Sequence, residues 1–201
     1  TKQTSCNWIP NNTNKKSLVL HPLPSFNPKN VLEISKDINF INQSKENKIH
    51  ILFVTGSPKT KRSEMIYPII KKLANKNKRI NFLVSIVGIY DFKRHDLNNN
   101  ISIDIRKKSL SEKVLIQKYL TTDIFISTSS EEGFGIPLLD AITFNIFTVA
   151  SSIPAYKEIN KIYKSKKLSL LSQNSSSDDY VEIIHSLIKK RKLMKDDNRV
   201  N

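Results

Sequence analysis

The chain has 201 residues, 38% of them hydrophobic and 25% charged, with 33 Lys and Arg against 18 Asp and Glu for a formal net charge of +15 at pH 7. That is a somewhat polar globular composition, long enough to bury a sizeable core in one domain or in one domain with an extension. It excludes a membrane-spanning helix, because no apolar run approaches ~20 residues, and a disulfide framework, because Cys6 is the single cysteine.

The charge excess has two readings. A nucleic-acid partner would call for basic residues interleaved with aromatics as a stacking platform, and no such alternation occurs. Lys and Asn are abundant throughout, so solvated basic faces account for the charge and no nucleic-acid partner is expected. Such a surface also suits phosphate-bearing ligands and anionic lipid headgroups. Zinc-type spacing is absent, and His21, His50, His95 and His185 read as structural or surface residues.

Residues 1–48 read as a polar extension. Thr1-Lys2-Gln3 carries neither an initiator Met nor a secretory pattern, so the chain reads as an excised piece. The lone cysteine favours a reducing, cytoplasmic setting. Ser17–Leu20 is a candidate short strand, and Val31–Asn47 is ambiguous between a short helix and loop. From Lys48 to Gly56 a continuous apolar run closed by glycine reads as a strand buried on both faces. The loop Ser57–Arg62 follows, then a helix capped by Ser63 with Ile66, Ile69, Ile70 and Leu73 at helical spacing. Ile80–Val87, closed by Gly88, is a second buried strand, and Ile101–Ile105 a short alternating one. Ser109 and Glu112 have capping-box spacing ahead of a helix carrying Val114, Leu115, Tyr119 and Leu120. Asp123–Ser127 is a strand, about Ile136–Phe144 a helix and Ile146–Ala150 a strand. Ser152 caps a short helix through Tyr156, Leu168–Leu171 is a last strand, and residues 175–188 form a closing helix. The basic tail after Lys189 should fray.

Strands and helices alternate from about residue 48, which predicts an α/β fold with a doubly wound parallel sheet. Ligands of such sheets bind at the carboxyl ends of the strands. There the stretch Glu132-Gly133-Phe134-Gly135-Ile136-Pro137-Leu138-Leu139-Asp140 joins a strand to a helix. Two of the chain's four glycines lie in it, which lets backbone approach a ligand. Pro137 suits the first helical turn, and a helix start attracts anions. Glu132 and Asp140 bracket the turn and are expected to face one crevice. Two readings stay open on pattern alone. The acids hold ligand hydroxyls, with the pyrophosphate of a nucleoside diphosphate ester on the amides and on the basic loop, or they only satisfy the helix dipole.

Glu132–Ala141 resembles the E-x7-E signature of retaining GT-B glycosyltransferases of the family 4 kind. Val149–Ile159 is similar to the strand and helix that follow that signature, and Ile51–Arg62 to the family's phosphate-binding loop. The likeness spans about residues 49–190. It implies a Rossmann-like donor-binding domain over 49–190, the C-terminal half of a GT-B architecture, after an interdomain-linker remnant over 1–48 and before a basic tail over 191–201. It implies that Glu132 contacts the donor sugar and supports charge at the anomeric carbon, the catalytic assignment. Gly56, Ser57, Lys61, Arg62, Gly133, Phe134, Gly135 and Ile136 would line the sugar and phosphates, and Asp140 would hold the ribose hydroxyls. Arg62 falls at the family's phosphate-binding Lys, with Lys61 one residue away.

Four positions depart from the family pattern: Ser57 for Arg, Asp140 for Glu, Asn145 for Gly and Phe147 for Pro. The resemblance implies a nucleotide sugar as substrate, no metal or other cofactor, a glycan or lipid-linked acceptor, and a partner N-terminal domain that binds it. A lipid-linked acceptor would bring the basic tail to a membrane surface, against which stands a merely solvated helix end. The competing reading, motivated by the four departures, is a degenerate partner-binding module that keeps the fold.

Overall fold

A computed structural model describes residues 23–38, 48–56, 58–88, 97–106 and 110–197. Among the described residues six strands, β1 (Lys48–Val54), β2 (Asn81–Val87), β3 (Ile101–Arg106), β4 (Ile124–Ser127), β5 (Phe147–Ser151) and β6 (Leu168–Leu171), form one sheet in the order β3-β2-β1-β4-β5-β6. Every neighbouring pair is parallel. The chain moves outward from β1 to β3 and then returns to the other side of β1 as β4. The order therefore reverses between β1 and β4, where a crevice opens at the carboxyl ends of doubly wound sheets. The α/β Rossmann-like expectation holds.

Among the described residues seven α-helices accompany the strands: α1 (Pro28–Ile38), α2 (Pro58–Lys61), α3 (Ile66–Lys76), α4 (Glu112–Thr121), α5 (Ile136–Thr143), α6 (Pro154–Tyr163) and α7 (Ser177–Asp197). Successive strand residues point to opposite faces, so the apolar run of β1 supplies two cores. Ile49, Ile51 and Phe53 pack with Ile66, Ile69, Ile70 and Leu73 of α3 and Tyr180, Val181, Ile184 and Ile188 of α7. Leu52 joins the opposite layer with Tyr119 of α4, Leu138 and Leu139 of α5, and Tyr156 and Ile159 of α6. Fully burying one such side chain contributes about 1.5–3 kcal/mol. The exposed Lys72–Asp178 (2.6 Å) and Lys76–Glu182 pairs between α3 and α7 add at most about 1 kcal/mol each.

Several local expectations are corrected. The ambiguous stretch after Val31 resolves in part: α1 is helical to Ile38 and packs Ile34 against Ile116 of α4. Ahead of it, Phe26 sets its ring edge-on to Tyr119 and Phe144, both at 5.6 Å. Ser63 caps no α-helix; it begins a 3-10 turn, Ser63–Met65, and α3 starts at Ile66 with Met65 as N-cap. Ile153 precedes α6, whose Pro154 starts the helix with φ already set, and Ser152 makes no cap. Ser111 stands at the N-cap of α4. Ser17–Leu20, Ser57, Ser109 and His95 lie outside the described residues. The tail stays helical through Asp197 where fraying was expected.

Candidate functional site

Two connections meet at the carboxyl ends of β1 and β4, and the basic one, expected as a loop over 57–62, is helical at α2 (Pro58–Lys61). Thr128 Oγ1 donates to the carbonyls of Lys61 (2.8 Å) and Arg62 (3.2 Å), and the amide of Ser130 donates to the carbonyl of Thr60 (2.8 Å). These bonds draw the basic loop and the glycine-bearing loop together, as their placement on one sheet edge predicts. Three hydroxyl residues, Ser127, Thr128 and Ser129, are buried there, and their short side chains leave room for this close approach.

Gly135 is the N-cap of α5, with φ 68° and ψ 31°, a left-handed conformation that glycine adopts without cost. A Cβ at Gly135 would stand 2.8 Å from Cε1 of Tyr156, whereas a Cβ at Gly133 would meet nothing within 4 Å. The carbonyl of Gly135 accepts from the amides of Leu138 and Leu139, both at 3.1 Å. Among the described residues no hydrogen bond engages the amides of Gly133, Phe134, Gly135 or Ile136. Gly133 is exposed, and the side chains of Phe134 and Ile136 are 54% and 40% exposed. The rim thus combines unengaged amides, a helix start and two exposed apolar side chains.

Glu132 stands beside that rim with its side chain 12% exposed. Its Oε1 accepts from Lys61 Nζ, from Ser129 Oγ at 2.9 Å and from Tyr156 Oη at 3.0 Å. Among the described residues Oε2 accepts no hydrogen bond. Burial, reinforced by the Glu132 charge, pushes the Tyr156 hydroxyl well above the usual phenol value, so Tyr156 stays a proton-bearing donor across the physiological range. A second buried phenol, Tyr180, donates to the carbonyl of Ser127 (3.3 Å) and pairs with Ser151 Oγ (2.8 Å). Burial raises its pKa, while the Ser151 bond and the nearby Arg62 charge work against the rise.

The adjacent cations part company. Lys61 reaches Glu132, whereas Arg62, in the left-handed region at φ 47°, donates from Nη1 to the carbonyl of Gln173 (2.7 Å), between β6 and α7. A Cβ at Gly56 would stand 3.8 Å from Lys61 Cε. Of the two, Lys61 stands at the Glu132 carboxylate.

Asp140 corrects the expectation of two carboxylates offered to one crevice. It is 2% exposed, and both oxygens are taken: Oδ1 accepts the amide of Ser25 at 2.8 Å and Oδ2 accepts Ser25 Oγ at 2.6 Å. The segment ahead of α1 crosses α5 there and carries its own donors. Burial raises the Asp140 pKa, and the two Ser25 bonds offset part of the rise. Asn145 sits at φ 57°. Asn tolerates that left-handed conformation better than most residues, so replacing a glycine there keeps the turn.

Sequence reasoning missed Ser25, Ser129 and Tyr156. Tyr156 shows in the sequence only as an apolar position on a helix, although the hydroxyl run Ser127-Thr128-Ser129 hints at a polar floor. Among the described residues no group of three or more His, Cys, Asp or Glu could hold a metal ion. No described helix is long and apolar enough to cross a membrane.

The profile of the family described as glycosyl transferases group 1 matches residues 34–199. The chain belongs to the group 1 glycosyl transferases. No curated protein matches it significantly in sequence. Its fold is shared by solved structures of low identity. WaaG, a glycosyltransferase involved in lipopolysaccharide biosynthesis, superposes at TM-score 0.58 with 17% identity, over 85% of this chain and 47% of that one. TarM superposes at 0.56 with 18% identity, over 74% of this chain and 30% of TarM. The C-terminal domain of a glycosyl transferase group 1 family protein (LpcC) from Francisella tularensis gives 0.53 and 19%, over 85% of this chain and 86% of that domain. This group 1 domain therefore spans half or less of the longer chains it matches and most of the isolated domain.

Proposed function

We propose that this group 1 domain binds the donor, a nucleoside diphosphate sugar, for a glycosyltransferase that retains anomeric configuration. The observation that carries the reading is the half-buried Glu132 carboxylate, with one oxygen held by three donors, beside Lys61 and the unengaged amides of residues 133–136. A diphosphate at the start of α5 meets amides, the positive end of the helix and the Lys61 ammonium. A sugar hydroxyl meets Glu132, whose ionised carboxylate accepts hydrogen bonds and does not donate them.

In the transfer step the bond between the anomeric carbon and the diphosphate oxygen breaks, and the electron pair leaves with the diphosphate. The acceptor oxygen forms the new bond on the same face and passes its proton to the departing diphosphate. Charge on the leaving group develops where the amides and Lys61 stand, so these groups favour the transition state without a bound metal. Glu132 favours the positive charge that develops at the anomeric carbon. Asp140 reaches a ribose only when Ser25 releases it, and Arg62 assists the phosphates only after leaving Gln173. A second domain supplies the acceptor, a glycan or a lipid-linked sugar. The reading places the chemistry in the cytoplasm, with the basic tail toward any membrane-held acceptor.

One observation favours a second reading. Ser25 occupies both oxygens of Asp140, as it would if the domain kept its fold as a partner-binding module and no longer received a ribose. Titration calorimetry with UDP, GDP and ADP, and with UDP-glucose, GDP-mannose and ADP-glucose, separates the two. The donor-binding reading expects heat with one nucleotide class. It also expects Glu132→Ala to weaken the matching nucleotide sugar about tenfold, as loss of a charged hydrogen bond does, while sparing the plain nucleotide. Folded protein that gives no heat with any of them favours the module, and equal losses for both ligands remove Glu132 from the sugar.

A further inference from the structure

We propose that Tyr156 is the positioning residue of this site, clamping the loop from Glu132 to Gly135 at both ends. This rests on the donor-binding reading. Tyr156 comes from α6, 24 residues after Glu132 in sequence, and is 1% exposed. Its hydroxyl lies 3.0 Å from Glu132 Oε1 and 2.7 Å from Ser127 Oγ. Its ring edge lies under Gly135, so close that a Cβ there would stand 2.8 Å from Cε1 and 3.0 Å from Cδ1.

One rigid side chain therefore sets the spacing between the carboxylate and the first amides of α5. A phenol has few rotatable bonds, and this one is buried in the core cluster that also holds Leu138, Leu139, Ile153 and Ile159. The hydroxyl has a direction as well. With its pKa raised by burial and by the Glu132 charge, it keeps its proton and donates to Oε1. Ser127 Oγ also lies 3.2 Å from Ser129 Oγ, and Ser129 Oγ donates to the same Oε1. The phenol and Ser129, both on the floor of the crevice, hold Oε1 together with Lys61, which leaves Oε2 as the oxygen for a donor-sugar hydroxyl. Lys61 can exchange its carboxylate for a phosphate when a ligand arrives. Ser129 and Tyr156 are buried below the rim, out of reach of the phosphates, so their hydroxyls keep the carboxylate oriented through binding.

The test is Tyr156→Phe, which keeps the ring under Gly135 and removes only the hydroxyl. Ser129→Ala is the companion variant, because it removes the other fixed donor without touching the ring. Calorimetry on the whole chain uses UDP, GDP and ADP against UDP-glucose, GDP-mannose and ADP-glucose, with thermal unfolding to confirm that each variant is folded. The expected result is a roughly tenfold loss of affinity for the nucleotide sugar that wild type binds, with the corresponding nucleotide unchanged. Ser129→Ala should behave alike, and the double variant should lose more than either. Folded variants whose nucleotide-sugar affinity matches wild type overturn the assignment and leave the donor-binding reading standing. Equal losses for nucleotide and nucleotide sugar also overturn it, since they mean a general structural role. Wild-type protein that binds none of the six ligands overturns the donor-binding reading and this assignment with it.

Discussion

Gly133 and Gly135 are two residues apart, yet the structure gives them different work. Gly135 is held in the left-handed region with the Tyr156 ring against it, whereas Gly133 has open space where a side chain would stand. Gly135→Ala should therefore lower the unfolding free energy by at least about 1–2 kcal/mol from the backbone conformation alone, with the ring contact added. Gly133→Ala should stay within about 0.5 kcal/mol of wild type. The proposed diphosphate site adds a second expectation: a methyl group at 133 obstructs a ligand approaching the backbone, so Gly133→Ala should bind nucleotide more weakly while unfolding like wild type. Urea titration and calorimetry on both variants check the pair. A stable Gly135→Ala would refute the conformational argument, and a Gly133→Ala that binds nucleotide as wild type does would take the phosphates away from that amide. The neighbouring cations divide in a comparable way, because the left-handed backbone at Arg62 turns the chain between two side chains that are adjacent in sequence.

At the scale of elements, α5 is held at two points by side chains from elsewhere in the chain. Tyr156 of α6 meets its start, and Ser25, ahead of α1, meets Asp140 one turn in. The second contact has a pH signature. The folded state raises the Asp140 pKa above its ordinary 3.8, through burial that outweighs the Ser25 bonds. A carboxyl group with a raised folded-state pKa contributes stability that is fully present below 3.8 and is lost as pH rises through the higher folded value. The difference in unfolding free energy between wild type and Asp140→Asn should therefore be most favourable to wild type at acid pH and shrink toward neutrality. Urea titrations of both proteins across that range decide it, and a difference that grows with pH would reverse the assignment. The segment that carries Ser25 also carries Phe26, whose ring packs with Tyr119 and Phe144. Its docking is thus apolar as well as polar, and it should persist when Ser25 is truncated.

For the whole molecule, the parallel sheet carries both connections at one edge between its two helical layers, and the longer chains of the same fold are about twice this length or more. On the donor-binding reading, the purified chain should bind nucleotide sugar yet transfer none to an acceptor; release of free nucleotide coupled to acceptor glycosylation by the isolated chain would contradict the proposal that a second domain supplies the acceptor. Much of this was legible in the sequence. Buried strands announce themselves as unbroken apolar runs, because both faces of a parallel sheet are covered, and the turn into α5 shows in glycine and proline, whose backbone preferences are local. Those local signals determined the α/β fold, the sheet edge that carries the loops, and the position of Glu132 on it. What only the tertiary structure decided are contacts made across the sequence: Tyr156 with Glu132 over 24 residues, Lys61 with Glu132 over 71, and Ser25 with Asp140 over 115. A carboxylate's chemistry is set by the donors that surround it, and no residue records in its own neighbourhood which distant hydroxyl will be packed against it. That is why Asp140 could be located from the sequence on the first turns of a helix while the direction of its carboxylate, into Ser25, could not.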